Sequence, residues 1–148
     1  MARSEFNFCF PLRVRYAEVD QQKVVFNAHY LTYFDTSIYE YFRALPYDFI
    51  DHVQRTGTDF HTVKVAVDFF APSRFDDEIE VHVRTARIGR SSITFSVEIF
   101  PKDGDETRVR GEIVWVNTDQ QVQKSAPLLE QLVDRLSALD GGRVDSPG

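Results

Sequence analysis

Apolar and polar residues alternate from Phe8 to Tyr16: Phe8, Phe10, Leu12, Val14 and Tyr16 against Cys9, Pro11, Arg13 and Arg15. Period two marks a strand with one buried face. Proline donates no backbone hydrogen bond, so Pro11 places this strand at an edge or a bulge. From about Asn27 the spacing changes to three and four, and Leu31, Phe34, Ile38, Phe42 and Leu45 form one stripe. The stripe predicts a helix of roughly four to five turns. Asn27 is its expected N-cap, and Pro46 stops it. A second, short helix is expected over Asp48–Arg55, closed by Gly57.

Beyond Gly57 the pattern is strand upon strand. Val63, Val65, Val67 and Phe69 share one face of a run from Phe60 to Phe70, which "APSRFDD" breaks. Ile79, Val81, Val83 and Thr85 alternate with Glu80, His82 and Arg84; after "RIGRSS", Ile93, Phe95, Val97 and Ile99 do the same. "KDGD", Lys102 to Asp105, is a hairpin turn in which Gly104 is expected to use its tolerance of positive φ. Val109, Gly111, Ile113 and Trp115 mark the last strand. "SAPLLEQLVDRLSAL" predicts a terminal helix, with Ser125 ahead of Pro127 and Leu128, Leu132, Val133, Leu136 and Leu139 on one face. Asp140 to Gly148 is expected to be a frayed, flexible tail.

The order is strand, long helix, four strands, helix. Short links predict that the four strands form an antiparallel meander. One apolar stripe on the helix must be buried on a sheet face. The predicted architecture is therefore α+β: a curved antiparallel sheet wrapped around one long central helix, with an additional C-terminal helix. An open sheet edge invites pairing, and a homodimer that continues the sheet would cover it.

Composition narrows the picture. At 148 residues the chain fits one domain spanning 1–148, with an ordered core at about 6–139. Aromatic residues make up 14%, including 13 Phe, enough to build a core and to line an apolar pocket. A net charge of -6 argues against a dedicated nucleic-acid binder, though not against a local basic patch for a phosphate-bearing ligand. One cysteine, Cys9, excludes an intrachain disulfide and metal sites built on thiolates, and is expected to be a small core or edge residue of the first strand. The four histidines, His29, His52, His61 and His82, lack HxxxH or HExxH spacing. No metal and no cofactor are therefore expected. There is no GxSxG elbow and no Gly-rich phosphate loop. No run of about 18 apolar residues and no signal-peptide core is seen, so no transmembrane segment and a cytoplasmic location are expected.

The candidate chemistry lies between the first strand and the long helix. Asp20 stands seven residues before Asn27. A helix start leaves backbone N–H groups without partners, and these favour developing negative charge. By spacing alone, Asp20 is either a turn or capping aspartate or a carboxylate held beside an oxyanion-binding helix start.

The stretch "VRYAEVDQQKVVFNAHYLTYFDTSIYEYFR" resembles the opening motif of the hotdog-fold acyl-CoA thioesterases, the 4-hydroxybenzoyl-CoA thioesterase family. The resemblance rests on Tyr16, Asp20, the run Val24, Val25 and Phe26, and the pair His29 and Tyr30. "VAVDFFAPSRFDDEIEVHVRTARIGRSSITF" resembles the family's second block, and the similarity runs from about Arg13 to Asn117. It implies the hotdog fold and hydrolysis of an acyl-CoA thioester. It implies Asp20 as nucleophile or general base, the Asn27 backbone N–H as the group that binds the thioester oxygen, and Tyr16 as a positioning residue. It also implies a homodimer or homotetramer with active sites at subunit interfaces. Two residues depart from the pattern. Lys23 stands where the family usually has Gly, which predicts an altered loop or a slightly different aim of the carboxylate. Asn27 stands where one branch has His, so only its backbone N–H carries over.

Arg87 and Arg90 flank Gly89 in a turn. They are either solvated turn residues or a grip on the phosphates of coenzyme A. Arg74 is a weaker candidate of the same kind. Asp76, Asp77 and Glu78 are expected in a solvated turn, and His29 in packing or an interface. Two other functions share these features: hydrolysis of acyl groups on acyl carrier protein, and acyl-thioester binding without turnover.

Overall fold

A computed structural model describes residues 3–140. Short 3-10 turns at Arg3–Glu5 and Tyr16–Glu18 flank strand β1, Cys9–Arg13. Helices α1, His29–Ala44, and α2, Phe49–Thr56, follow. Then come β2, Thr58–Phe69; β3, Glu78–Ile88; β4, Ser92–Pro101; β5, Val109–Asp119; the two-residue β6, Lys124–Ser125; and helix α3, Glu130–Asp140.

The sheet order is β1-β3-β4-β5-β2, with β6 on β5. β1 runs antiparallel to β3 in a register from Cys9↔His82 to Arg13↔Glu78. Pro11 therefore lies on a terminal strand, as its missing N–H requires. The expected four-strand meander holds only for β3, β4 and β5. β2 lies beside β5, not β3. The reason is the link Phe70–Asp77, which is too long for a tight hairpin and carries Pro72, so β2 is free to pair elsewhere.

The described residues form two compact units. One runs from the N-terminus to Tyr41 and adds Val67–Arg84 and Val97–Gly111. Its core is Tyr30, Tyr33, Phe34, Ile38 and Tyr41 of α1 with Ile79, Val81, Val83, Val97, Ile99 and Val109. Phe34, Ile38 and Phe42 of the expected stripe are buried, with Tyr30, Tyr33 and Tyr41 beside them, and Leu31 is exposed. An aromatic body buries well while its hydroxyl finds a partner. The other unit comprises Phe42–Ala66, Thr85–Ser96 and the chain from Glu112 onward. There Phe42 stacks on Trp115 with ring centroids 5.6 Å apart, and Phe49 and Phe95 close around them.

Local signals set most boundaries. α1 ends at Ala44, just ahead of Pro46, because the residue before proline is driven out of the helical region. Asp48 caps α2 by accepting from the Asp51 N–H, and Gly57 closes it at φ 67°. Three expectations shift. Asn27 lies two residues ahead of α1, whose first turn is built from three-residue bonds such as His29 N–H to Phe26 carbonyl. Gly104 does not take positive φ; a Cβ there would lie 2.7 Å from Pro101 Cγ, so close approach is what needs glycine. Ser125 belongs to β6, and α3 begins only at Glu130. Leu132 and Leu136 are buried as expected. Asp140, assigned to the tail by sequence, is buried and accepts from the Thr85 N–H at 2.9 Å. The rest of the expected tail, 141–148, lies outside the described residues.

Candidate active site

After β1 the chain makes the Tyr16–Glu18 turn, and Val19 bridges Val25. Asp20 to Lys23 form the tight turn between these two valines. The Asp20 N–H donates to the Val24 carbonyl and the Lys23 N–H to the Asp20 carbonyl, both at 2.9 Å. Asp20 Oδ1 accepts from the Gln22 N–H at 2.8 Å, the short-range bond that makes Asp a turn former. That bond also orients the carboxylate. Lys23 sits at φ 66°. A lysine is thus held in the left-handed conformation that glycine adopts freely.

Asp20 is half-buried and lines an open depression of about 900 Å³ with Tyr16, Ala17, Val19, Gln21, Lys23 and Phe75. Tyr16 is 79% exposed and meets the Phe75 ring edge-on at 5.8 Å. Tyr16 and Asp20, paired by sequence, thus share one cavity. Asn27 does not join them there. It lines a smaller hollow of about 240 Å³ with Val24, Val25, Tyr30 and the Phe69–Pro72 segment. The Asn27 N–H is exposed and has no partner among the described residues, the usual condition at a helix start. Asp20 and the helix start are joined in the chain by the Val24–Val25 segment, which Arg74 and Ser73 pin from the other side.

Sequence reasoning passed over Glu18. Its side chain is buried and accepts four hydrogen bonds: from the Arg15 N–H at 2.8 Å, from Arg15 Nε and Nη2 at 3.2 and 3.1 Å, and from the Tyr33 hydroxyl at 2.9 Å. Burial pushes its carboxyl pKa up, but these donors outweigh burial and hold it below the ordinary glutamate value. Burial, together with Glu18, raises the Tyr33 hydroxyl well above the usual tyrosine range, so it stays a donor. The available signal was local: a glutamate three residues after Arg15, at the end of a strand, has capping-box spacing.

The remaining candidates fall elsewhere. Arg87 lies near the end of β3 and Arg90 in the turn after it, both exposed. Arg74 donates its N–H to Asp77. The acids 76–78 are ion-paired: Asp76 and Glu78 with Arg13, Asp77 with Arg108. His29 opens α1 and packs edge-on against Phe26 at 6.0 Å. One group with metal-ligand chemistry comes together among the described residues: Cys9, Glu80 and His82, whose ligand atoms lie within 4.8 Å of one another. Two strands contribute it, so no linear spacing revealed it. The Arg3 guanidinium bonds Glu80 there, and burial and then the Glu80 charge push the Cys9 thiol up.

The thioesterase superfamily model matches residues 22–118. The chain belongs to the thioesterase superfamily. It is a thioester hydrolase by family, and its fold is the α+β hotdog fold expected from sequence. The match begins at Gln22, so Tyr16, Glu18 and Asp20 lie just outside it. An acyl-CoA thioesterase, YbgC of Haemophilus influenzae, is 28% identical over 88 residues, 60% of this chain and 65% of that protein. A putative esterase of Aquifex aeolicus is 24% identical over 86% of this chain and 98% of its own length. The crystal structure of a Thermus thermophilus thioesterase complexed with coenzyme A and Zn superposes with a TM-score of 0.78 at 28% identity, covering 93% of this chain and 96% of that one. The 1,4-dihydroxy-2-naphthoyl-CoA thioesterase of Synechocystis shares the fold with a TM-score of 0.83 at 19% identity, over 90% and 97% of the two chains. Among the described residues no helix is long and apolar enough to cross a membrane.

Proposed function

We propose that this superfamily member hydrolyses acyl-CoA thioesters to the free acid and coenzyme A, with Asp20 as the reactive carboxylate. The observation that carries the reading is Asp20 itself. One oxygen is fixed by the Gln22 N–H, and the carboxylate lines an open depression walled by two aromatic rings. As general base, Asp20 takes a proton from water while the oxygen attacks the thioester carbon. The C–S bond then breaks, and the proton passes to the departing thiolate. As nucleophile, Asp20 attacks the thioester carbon, the C–S bond breaks and the coenzyme A thiolate leaves and takes a proton from solvent, and water then opens the resulting mixed anhydride to the free acid and the Asp20 carboxylate. In either case the thioester oxygen gains charge and needs donors, and the open Asn27 N–H, two residues ahead of α1, is the donor we assign. Tyr16 positions the acyl group, and the exposed Arg87 and Arg90 hold the coenzyme A phosphates.

The substrate class is supported by the acyl-CoA thioesterase relative and by the coenzyme A complex of the Thermus protein. The active form is a homodimer or homotetramer, supported by the apolar, exposed terminal strand β2.

Thiol release from a panel of acyl-CoAs of graded length and aromaticity tests the reading. Asp20→Asn is expected to keep the fold and the assembly and to lose about 10²–10⁴-fold in kcat. An Asp20→Asn protein that turns over the panel at the wild-type rate sinks the mechanism.

A further inference from the structure

Glu18 touches both halves of the proposed site. Its backbone carbonyl accepts from the Phe26 N–H at 2.9 Å, which fixes the residue immediately before Asn27. Its carboxylate accepts from the Tyr33 hydroxyl at 2.9 Å, which ties the same turn to the second helical turn of α1. Its remaining bonds close the Tyr16–Glu18 turn through Arg15. Asp20 follows two residues later, held by the Val19–Val25 bridge. The oxyanion donor and the carboxylate are thus each one or two residues from a position that Glu18 holds. Among the described residues, the Asp20 side chain has only the local Gln22 bond. The two acids therefore divide the work: a buried, fully engaged carboxylate and a half-buried one that faces the open depression.

We propose that Glu18 is a positioning residue for thioester hydrolysis, aiming the Asp20 carboxylate by anchoring the turn just before it to Tyr33 of α1. This rests on the reading of Asp20 as the reactive group. Misplacing a reacting group by about 1 Å is enough to lose about 10² in rate, and the Glu18–Tyr33 bond is buried, where no water replaces it.

Four purified full-length proteins test it: wild type, Glu18→Ala, Asp20→Asn and the double variant, with Glu18→Gln and Tyr33→Phe beside them. Each is assayed for thiol release and checked by thermal unfolding. Glu18→Ala is expected to lower kcat about 10²-fold with KM unchanged. Glu18→Gln keeps an acceptor for Tyr33 and the Arg15 N–H, and is expected to recover most of that loss. Tyr33→Phe keeps the ring and loses the anchor, so it reads the same effect even where Glu18→Ala fails to fold. In the Asp20→Asn background, Glu18→Ala is expected to cause no further loss, because it acts through Asp20. Folded Glu18→Ala or Tyr33→Phe enzyme with wild-type kcat overturns the proposal. So does a Glu18→Ala loss that multiplies with that of Asp20→Asn, since that is general destabilisation and not positioning. Full activity in Asp20→Asn alone instead marks failure of the underlying mechanism, so the two failures are told apart.

Discussion

The Lys23 N–H donates to the Asp20 carbonyl at 2.9 Å, and Lys23 makes that bond at φ 66°. A lysine in the left-handed region carries a steric penalty of about 1 kcal/mol that glycine avoids. Glycine adds freedom to the unfolded chain, which offsets part of the gain. Lys23→Gly is therefore expected to leave stability unchanged or to raise it by up to about 1 kcal/mol, while Lys23→Val lowers it. Urea unfolding of the three proteins checks this. A clear loss of stability in Lys23→Gly means that the lysine side chain contributes contacts beyond the turn.

Gly111 faces the ring of Phe34. A Cβ at Gly111 would lie 2.7 Å from Phe34 Cε2 and 2.9 Å from Cζ. Phe34 is 1% exposed and has no room to withdraw. Gly111→Ala is expected to destabilise by about 1–3 kcal/mol through overpacking. Thermal and urea unfolding measure it; a neutral result shows that α1 can shift on the sheet.

His52 is fully buried. Its Nδ1 lies 2.5 Å from the Tyr47 hydroxyl, and Nε2 contacts Thr58 Oγ1 and Asn117 Oδ1. Burial lowers its pKa below the ordinary histidine value. The unfolded chain therefore binds the proton more readily than the folded one. Stability from this group is complete above about pH 6.5 and falls as pH drops below that value. Urea midpoints measured from pH 7.5 to 5 should fall in wild type and fall less steeply in His52→Gln. His82, also lowered chiefly by burial, retains the rest of the slope. Parallel slopes in the two proteins rule out His52 as a source.

β2 ends the sheet with Val63 at 60% and Val65 at 41% exposure. Lysine at both positions blunts such an edge. Val63→Lys with Val65→Lys is expected to convert the proposed homodimer or homotetramer to monomers by light scattering and to abolish turnover with it. A wild-type protein that is monomeric and active removes the assembly from the mechanism.

The parts of this molecule legible in its sequence are those encoded by neighbouring residues. Alternation along β1, β3, β4 and β5, the change of period at α1, the stop at Pro46 and the cap at Gly57 all follow from the geometry of a short stretch of chain. The Asp20 turn belongs with them, since Asp forms turns through bonds to its own neighbours. The buried face of α1 was legible at Phe34, Ile38 and Phe42, while the exposure of Leu31 and the bond from Tyr33 to Glu18 depend on what packs around the helix. Tertiary structure alone decided that β2 pairs with β5, that Cys9 meets His82 across two strands, and that Glu18 reaches α1. These pairings join residues far apart in the chain. Their free energy comes from burying surface and satisfying polar groups together, which no local window of sequence contains.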